Sequence, residues 1–431
     1  VELSVAVLVI TFVILLLLNV PIAISIGVST ILTMLFTIAP LPAITTVAQQ
    51  MATGINSFAL LAIPFFILSG LLMGRGGIAR RLIDFAKVLV GMFPGGLAYV
   101  NVLSCMFFGA ISGSAVAATS AIGGFMLPVM EKEGYDRDFN AAITVTSSTT
   151  GLLIPPSNVL IVYSLASGGV SIAALFIAGY LPGILVGLGL IGVAAVLSVL
   201  NKYPVAGRVR LLDSFKKFLE AIPSLLLIVI VIGGIIAGIF TATEASAVAV
   251  IYSFILSVVI YREVKLSEIP GILLKTVETT AIVMLLIGTS KAMSWILSYE
   301  NIPQTISATL IALTESKIVI LLIINMILLA VGTFMDMTPA VLIFTPIFLP
   351  VAVELGIDPI HFGIMMVLNL CIGLCTPPVG SVLFVGCGIA GTTISKMIRP
   401  LLPFYAAMII ALIFVIYIPE ISMLLPRFFG Y

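Results

Sequence analysis

The chain has 431 residues, 61% of them hydrophobic and 9% charged, with a mean hydropathy of +1.33. A soluble domain carries about 25% charged residues, so this composition cannot furnish a water-facing surface and lipid must be its solvent. The net charge of +1 argues against a nucleic-acid partner, and no polar stretch is long enough for a soluble domain.

Ten apolar segments fit the roughly 20 residues that a spanning helix needs. They are 2–18, 22–38, 57–73, 138–168, 173–199, 223–240, 243–261, 277–298, 359–393 and 399–425. The first has no positive n-region and no small-residue cleavage site, so it is expected as a retained span rather than a signal peptide. Two further apolar stretches, 97–130 and 318–353, are interrupted by Gly109 to Ser114 and by Gly332 to Pro339. Each arm has about 14 residues, roughly 20 Å of helix against a hydrocarbon core of about 30 Å. Both are therefore predicted as re-entrant hairpins.

The charges support this arrangement. With ten spans and two hairpins, one side receives the loops 74–96, 131–137, 200–222, 262–276 and 394–399, which hold 16 of the 19 Lys and Arg, Arg208, Arg210, Lys216 and Lys275 among them. Lys317 and Arg427 fall on the other side, and Lys291 lies inside a span. Positive residues mark the cytoplasmic face, so both termini are expected outside, in the periplasm of a bacterial inner membrane. Segments near 77–90, 210–221 and 265–275 mix charged and apolar residues and are expected to lie along the cytoplasmic interface. The four cysteines show no disulfide framework; Cys371 and Cys375, one helical turn apart, read as packing residues in preference to a metal pair.

An offset of 222 residues superimposes two halves, 1–210 and 211–431. Between 127 and 156, ten of thirty positions are identical to those 222 further on, including Leu127-Pro128-Val129 with Leu349-Pro350-Val351 and Pro155-Pro156 with Pro377-Pro378. Each half holds five spans and one hairpin. Five is odd, so the second half enters from the opposite side, and inverted repeats with broken helices are the common architecture of secondary transporters.

The two proline pairs lie inside long apolar segments and must open their helices. The carbonyls of Gly151 to Ile154, and of Gly373 to Thr376, then lose helical partners, an expense in a bilayer that a bound cation offsets. Simple kinks are the other reading of the prolines. The hairpin tips add oxygens: Ser112 and Ser114 in the first, Thr333, Asp336 and Thr338 in the second. Several oxygens suit a hard cation such as Na⁺. Asp336 is the one acid placed deep in the membrane, where acids mark function; a helix cap at Thr338-Pro339 is its other reading, as capping is for the serines. Ser147, Thr149, Ser157 and Asn158, with Thr376, Gly380 and Ser381 in the second half, can present hydroxyls, amides and helix N-termini to an anionic substrate, or serve as small packing residues. Lys291, beside Ser290 and Ser294, can meet a substrate carboxylate, snorkel to the outer headgroups, or pair with a partner subunit. No phosphate-binding loop, HExxH or Ser-His-Asp set is present, which disfavours an enzyme.

Several stretches resemble the large membrane subunit of tripartite ATP-independent periplasmic (TRAP) transporters. They are Leu61 to Phe66, Phe108 to Ala115, Gly151 to Ser157, Gly332 to Asp336 and Cys375 to Gly380, and the likeness covers nearly the whole chain. The resemblance implies an all-α elevator-type ion-transporter fold and a sodium-driven importer of an organic anion. It implies a periplasmic substrate-binding protein and a small four-helix membrane subunit as partners, the latter on a separate chain. It implies one sodium site at Ser112, Ser114, Gly151, Ile154 and Pro156, and a second at Asp336, Gly373, Thr376 and Pro378, where Phe334 stands in place of the Ser112 hydroxyl. Family substrates include dicarboxylates and sialic acid, and the overall likeness leans to sialic acid. A stand-alone sodium/dicarboxylate symporter or antiporter and a gated anion channel are the competing readings.

Overall fold

The computed structural model describes residues 2–204, 211–314, 316–377 and 379–431. Arg208, Arg210 and Pro378 lie outside the described residues, and the expected boundary at 210/211 falls at the edge of a segment that does too. Every regular element among the described residues is helical. In chain order, the first half has α1 (Glu2–Leu17), α2 (Ile22–Thr37), α3 (Pro40–Ile55), α4 (Ala62–Arg75), α5 (Ile78–Val90), α6 (Gly96–Ser112), α7 (Ala115–Lys132), α8 (Arg137–Thr149), α9 (Asn158–Ala166) and α10 (Ile172–Leu200). The second has α11 (Leu211–Ile236), α12 (Ala242–Phe254), α13 (Ile269–Tyr299), α14 (Ile302–Leu313), α15 (Lys317–Phe334), α16 (Met337–Glu354), α17 (Pro359–Leu374), α18 (Ser381–Ala390), α19 (Ile394–Tyr417) and α20 (Glu420–Phe428).

Helix bounds follow the 222-residue offset closely. Shifted by 222, α7 at 115–132 becomes 337–354, the bounds of α16; shifted α8 begins at 359, where α17 begins; shifted α10 begins at 394, where α19 begins. The caps repeat as well. The Asp136 carboxylate accepts the Phe139 N–H at 2.9 Å to open α8, and Asp358, its mate, accepts the Ile360 N–H at 2.8 Å to open α17.

Four expectations need correction. The interruptions of the hairpins are two residues each, Gly113-Ser114 and Met335-Asp336, so the arms run to 17 or 18 residues. At 1.5 Å per residue that is about 26 Å, nearly the full hydrocarbon depth, and both arms of the second hairpin are long and apolar enough to cross. Arm length therefore does not mark them as hairpins; the packing of each tip on a broken helix does. The segments 210–221 and 265–275 are not separate interfacial helices: from 211 and 269 the backbone continues unbroken into α11 and α13. Only the 77–90 segment stands alone, as α5. The span expected at 399–425 ends at Tyr417, where Pro419 separates α20.

Two helices, α3 and α14, were not anticipated. The offset explains them: α14 is the mate of α5, whereas α3 and α4 together correspond to the single 31-residue α13. Between α3 and α4 the chain leaves the α-helix at Asn56-Ser57. The equivalent residues in α13 are Glu278 and Thr279, where the helix continues, with the Thr279 hydroxyl bonded back to the Lys275 carbonyl at 2.9 Å.

Two groups of helices emerge from the contacts. α1–α4 pack with α11–α13, and α5 and its mate α14 touch both groups. α6–α9, with α15–α18, form the other body, and α10 and α19 pack onto it. A Cβ on Gly179 of α10 would lie 2.1 Å from the Leu153 carbonyl oxygen, and one on Gly183 would meet the Ile154 side chain at 2.5 Å. The Tyr405 hydroxyl of α19 donates to the Cys375 carbonyl. Both breaks are thus gripped from outside by the helix that follows them.

Candidate functional site

The first tip is made by Gly113, whose φ of 61° ends α6 in a left-handed conformation that a Cβ disfavours. Ser114 then opens α7, its Oγ accepting the Ala117 N–H at 3.2 Å. The Ser112 Oγ lies 3.4 Å from both the nitrogen and the carbonyl oxygen of Ser114. In the facing helix, α8 tightens into a 3₁₀ turn at Thr150–Leu152 and opens at Pro155-Pro156, which are joined by a cis peptide bond. Gly151 and Leu152 have prolines four residues on, so their carbonyls have no helical donor. The Ser157 hydroxyl replaces one of them, donating to the Leu152 carbonyl at 2.6 Å.

Tip and break meet backbone to backbone. A Cβ on Gly109 would lie 2.6 Å from the Gly151 Cα, and one on Gly151 2.2 Å from the Gly109 Cα. Gly113 sits over the break, a Cβ there falling 3.5 Å from the Pro156 carbonyl oxygen and 3.3 Å from the Asn158 amide nitrogen. The Asn158 Oδ1 is buried and meets no hydrogen-bond partner among the described residues.

The second half repeats the arrangement. A Cβ on Gly373 would lie 2.6 Å from the Gly332 Cα, and the Gly380 N–H donates to the Thr333 carbonyl at 3.1 Å. Asp336 occupies the N-terminal cap position of α16 without making a side-chain capping bond. Asp336 is an exposed residue, and its carboxylate accepts a long bond, 3.4 Å, from the Ser381 hydroxyl. The Gly373 carbonyl accepts the Thr376 N–H at 2.8 Å, and the Thr376 hydroxyl is turned back to the Ile372 carbonyl at 2.7 Å. The two broken helices also touch each other: the Cys371 thiol donates to the carbonyl of Thr149, its own repeat mate, at 3.4 Å.

Both tips open on one cavity of about 410 Å³. Ser112, Ser114, Asn158, Asp336 and Thr338 line it on one side, and Gly70 and Lys275 on the other. The remaining expected substrate residues lie elsewhere. Ser147, Thr149 and Ser157 are fully buried in helix contacts, with the Thr149 hydroxyl bonded to the Thr146 carbonyl at 2.8 Å. Gly380 is buried beneath the second tip, and Lys291 lines a different cavity. Lys275, whose Nζ is 3.2 Å from Glu278 Oε2, is expected from the sequence only as an interfacial charge. Its place in α13 becomes visible once that helix is known to run unbroken through the membrane.

Comparison with known proteins agrees with this geometry. Residues 9–421 match the family model described as tripartite ATP-independent periplasmic transporter, DctM component. The uncharacterized protein YgiK of Salmonella typhimurium is 55% identical over 420 residues, covering 97% of this chain and 96% of that one. The C4-dicarboxylate TRAP transporter large permease protein DctM of Pseudomonas aeruginosa is 45% identical over 86% of this chain and 87% of its own. The sialic acid TRAP transporter large permease protein SiaM of Vibrio cholerae is 39% identical over 89% and 90%. The isethionate TRAP transporter permease protein DctMQ of Oleidesulfovibrio alaskensis is 41% identical over 96% of this chain, which covers 65% of that longer protein. Among solved structures, the Alcanivorax borkumensis YdaH transporter shares the fold, with a TM-score of 0.60 at 15% identity over 91% of this chain and 89% of that one. The chain therefore belongs to the DctM component family of tripartite ATP-independent periplasmic transporters, as a large membrane permease subunit and not an enzyme.

Proposed function

We propose that this subunit couples sodium entry to the import of a small organic anion. The observation that carries the reading is the duplicated meeting of a hairpin tip with a proline-broken helix, each bringing oxygens to one cavity. In the first half Ser112, Ser114 and the carbonyls of Gly151, Ile154 and Pro156 supply neutral oxygens for one ion. In the second, Asp336 with Gly373 and Thr376 supplies a charged set, and Pro378, outside the described residues, completes the pattern by its place in the sequence. A carboxylate within a membrane protein, as Asp336 is at the second tip, is unfavourable without a neighbouring cation, and a sodium ion beside it removes that penalty. With both cations bound, the cavity also becomes more favourable for an anion, and Asn158 and Thr338 are placed to orient it.

The body of α6–α9 and α15–α18, with α10 and α19 gripping its breaks, is the part that moves in elevator fashion against the other helices. In this reading the Lys275 end of α13 is cytoplasmic and both termini are periplasmic, which the bias of Lys and Arg among the loops supports. A binding protein delivers the anion, and a small membrane subunit accompanies this one. The names of the relatives span C4-dicarboxylates, sialic acid and isethionate, whose common chemistry is a small polar organic anion. The greater identity to the C4-dicarboxylate relative favours a dicarboxylate over sialic acid.

The test is uptake into proteoliposomes holding the large and small subunits, with binding protein outside. Succinate and sialic acid are offered with and without a sodium gradient. The expected result is uptake that requires both sodium and the binding protein, and that Asp336→Ala abolishes while leaving membrane insertion intact. Uptake at the wild-type rate in Asp336→Ala removes this residue from the mechanism, and uptake without the binding protein makes the protein a stand-alone symporter.

A further inference from the structure

A second cavity, of about 190 Å³, lies further along the same wall. Three helices run from the tip cavity to this one in the same order. α13 contributes Lys275 and Thr279 to the first and Ser290, Lys291 and Ser294 to the second. α9 contributes Asn158 and then Leu165, and α16 contributes Thr338 and then Pro346. Lys275 and Lys291 are 16 residues apart, about 24 Å of helix, while the linings of the two cavities come within one turn of each other on α13, at Val283 and Ile287, so the second cavity adjoins the first on the side away from Lys275.

The lining is suited to an anion. Lys291 forms no ion pair among the described residues, and no acid lines the cavity. The Ser290 hydroxyl, in a residue 2% exposed, meets no hydrogen-bond partner among the described residues. Ser57 adds a hydroxyl from the facing segment, while the Thr53 hydroxyl on the same wall donates back to the Gln49 carbonyl at 3.0 Å. Lys291 is exposed, and its base packs on α3, where a Cβ on Gly54 would fall 2.7 Å from the Lys291 Cβ, so the glycine makes room for the start of the side chain.

We propose that this cavity is a periplasmic vestibule that binds the carboxylate of the transported anion before the hairpin tips receive it. The inference rests on the transport reading above. Lys291 is then the fixed cation on the receiving side, and Lys275 the cation that the tip cavity faces in the position seen here, with the site turned toward the cytoplasm.

The test needs neither the substrate's identity nor sodium. Ser294→Cys is placed in the whole transporter in right-side-out vesicles. It is labelled with membrane-impermeant methanethiosulfonates, one anionic and one cationic, with rates normalised to those of a free thiol. An attracting lysine a few ångströms away favours the anionic reagent by about tenfold. That preference should persist in Lys291→Arg and vanish in Lys291→Gln. If Ser294→Cys does not insert, Thr53→Cys on the facing wall is used in the same way. Equal rates for the two reagents with Lys291 present, a preference that survives Lys291→Gln, or labelling only from the cytoplasmic side overturns the proposal, as does no labelling at either position. Each of these results can occur while sodium-driven uptake through Asp336 stands, so the two readings fail separately.

Discussion

The two tip sites share a backbone and differ in charge. In both, a glycine of the hairpin lies on a glycine of the broken helix, and in both, residues next to the break bond to neighbouring groups in place of lost helical partners. The first site ends in two serines; the second ends in one carboxylate, which takes a long hydrogen bond from Ser381. Duplication thus preserved the helix-breaking geometry, which sets where oxygens point, while the charge came to differ. A neutral site and an anionic one bind the same cation with different strength, so the two halves should respond unequally to equivalent changes.

The largest expected difference is between Asp336→Asn and Ser114→Ala, which sit at equivalent positions. Asp336→Asn keeps the shape and removes the charge, and sodium-dependent uptake should fall to background. Ser114→Ala should leave uptake measurable and raise the half-saturating sodium concentration several-fold, with about 1 kcal/mol of stability lost with the helix cap. A sodium titration of transport compares the two, and equal losses would erase the distinction between the sites.

The glycine contacts sharpen the same comparison. A Cβ on Gly109 would lie 2.6 Å from the Gly151 Cα, whereas one on Gly332 would lie 3.1 Å from the Gly373 Cα. Both neighbours are backbone and cannot swing aside, so Gly109→Ala should destabilise by about 3 kcal/mol and Gly332→Ala by about 1. Thermal unfolding of the two variants, purified in the same detergent, ranks them; the reverse order contradicts the account of the first tip as the tighter contact.

A smaller effect concerns the groups that replace helical donors. Ser157→Ala strips the Leu152 carbonyl of its hydroxyl partner, and Tyr405→Phe strips that of Cys375. Each should cost about 1–3 kcal/mol, because a buried acceptor is left bare. The smallest effect is expected at the surface pair of Lys217 and Asp84, 3.2 Å apart, where Lys217→Gln should change stability by less than about 1 kcal/mol.

Much of this was legible in the sequence because prolines and glycines interrupt apolar runs at repeated positions. Pro155-Pro156 and Gly113-Ser114 mark a break and a tip whatever surrounds them. The length of the arms was not legible, since Ala110 to Ser112 and Gly332 to Phe334 are compatible with helix, and packing decides that they are helical. The fusion of α3 and α4 into α13 was equally hidden, because it turns on Asn56-Ser57 in one half and Glu278-Thr279 in the other. Ser147 and Thr149 looked like a polar patch; their burial comes from the crossing of the two broken helices, a long-range contact that hydropathy does not carry. Lys275 and Lys291 could be placed on opposite ends of one wall only after that wall was known to be continuous.

The most direct test of the central claim, that cations complete the two gaps between tips and breaks, is thermal unfolding of the purified protein in sodium chloride and in choline chloride at equal ionic strength. Sodium at a hundredfold excess over its dissociation constant should add about 2.7 kcal/mol of stability per site, and Asp336→Ala should lose the share of the second site while keeping that of the first. Identical unfolding in the two salts would contradict the account.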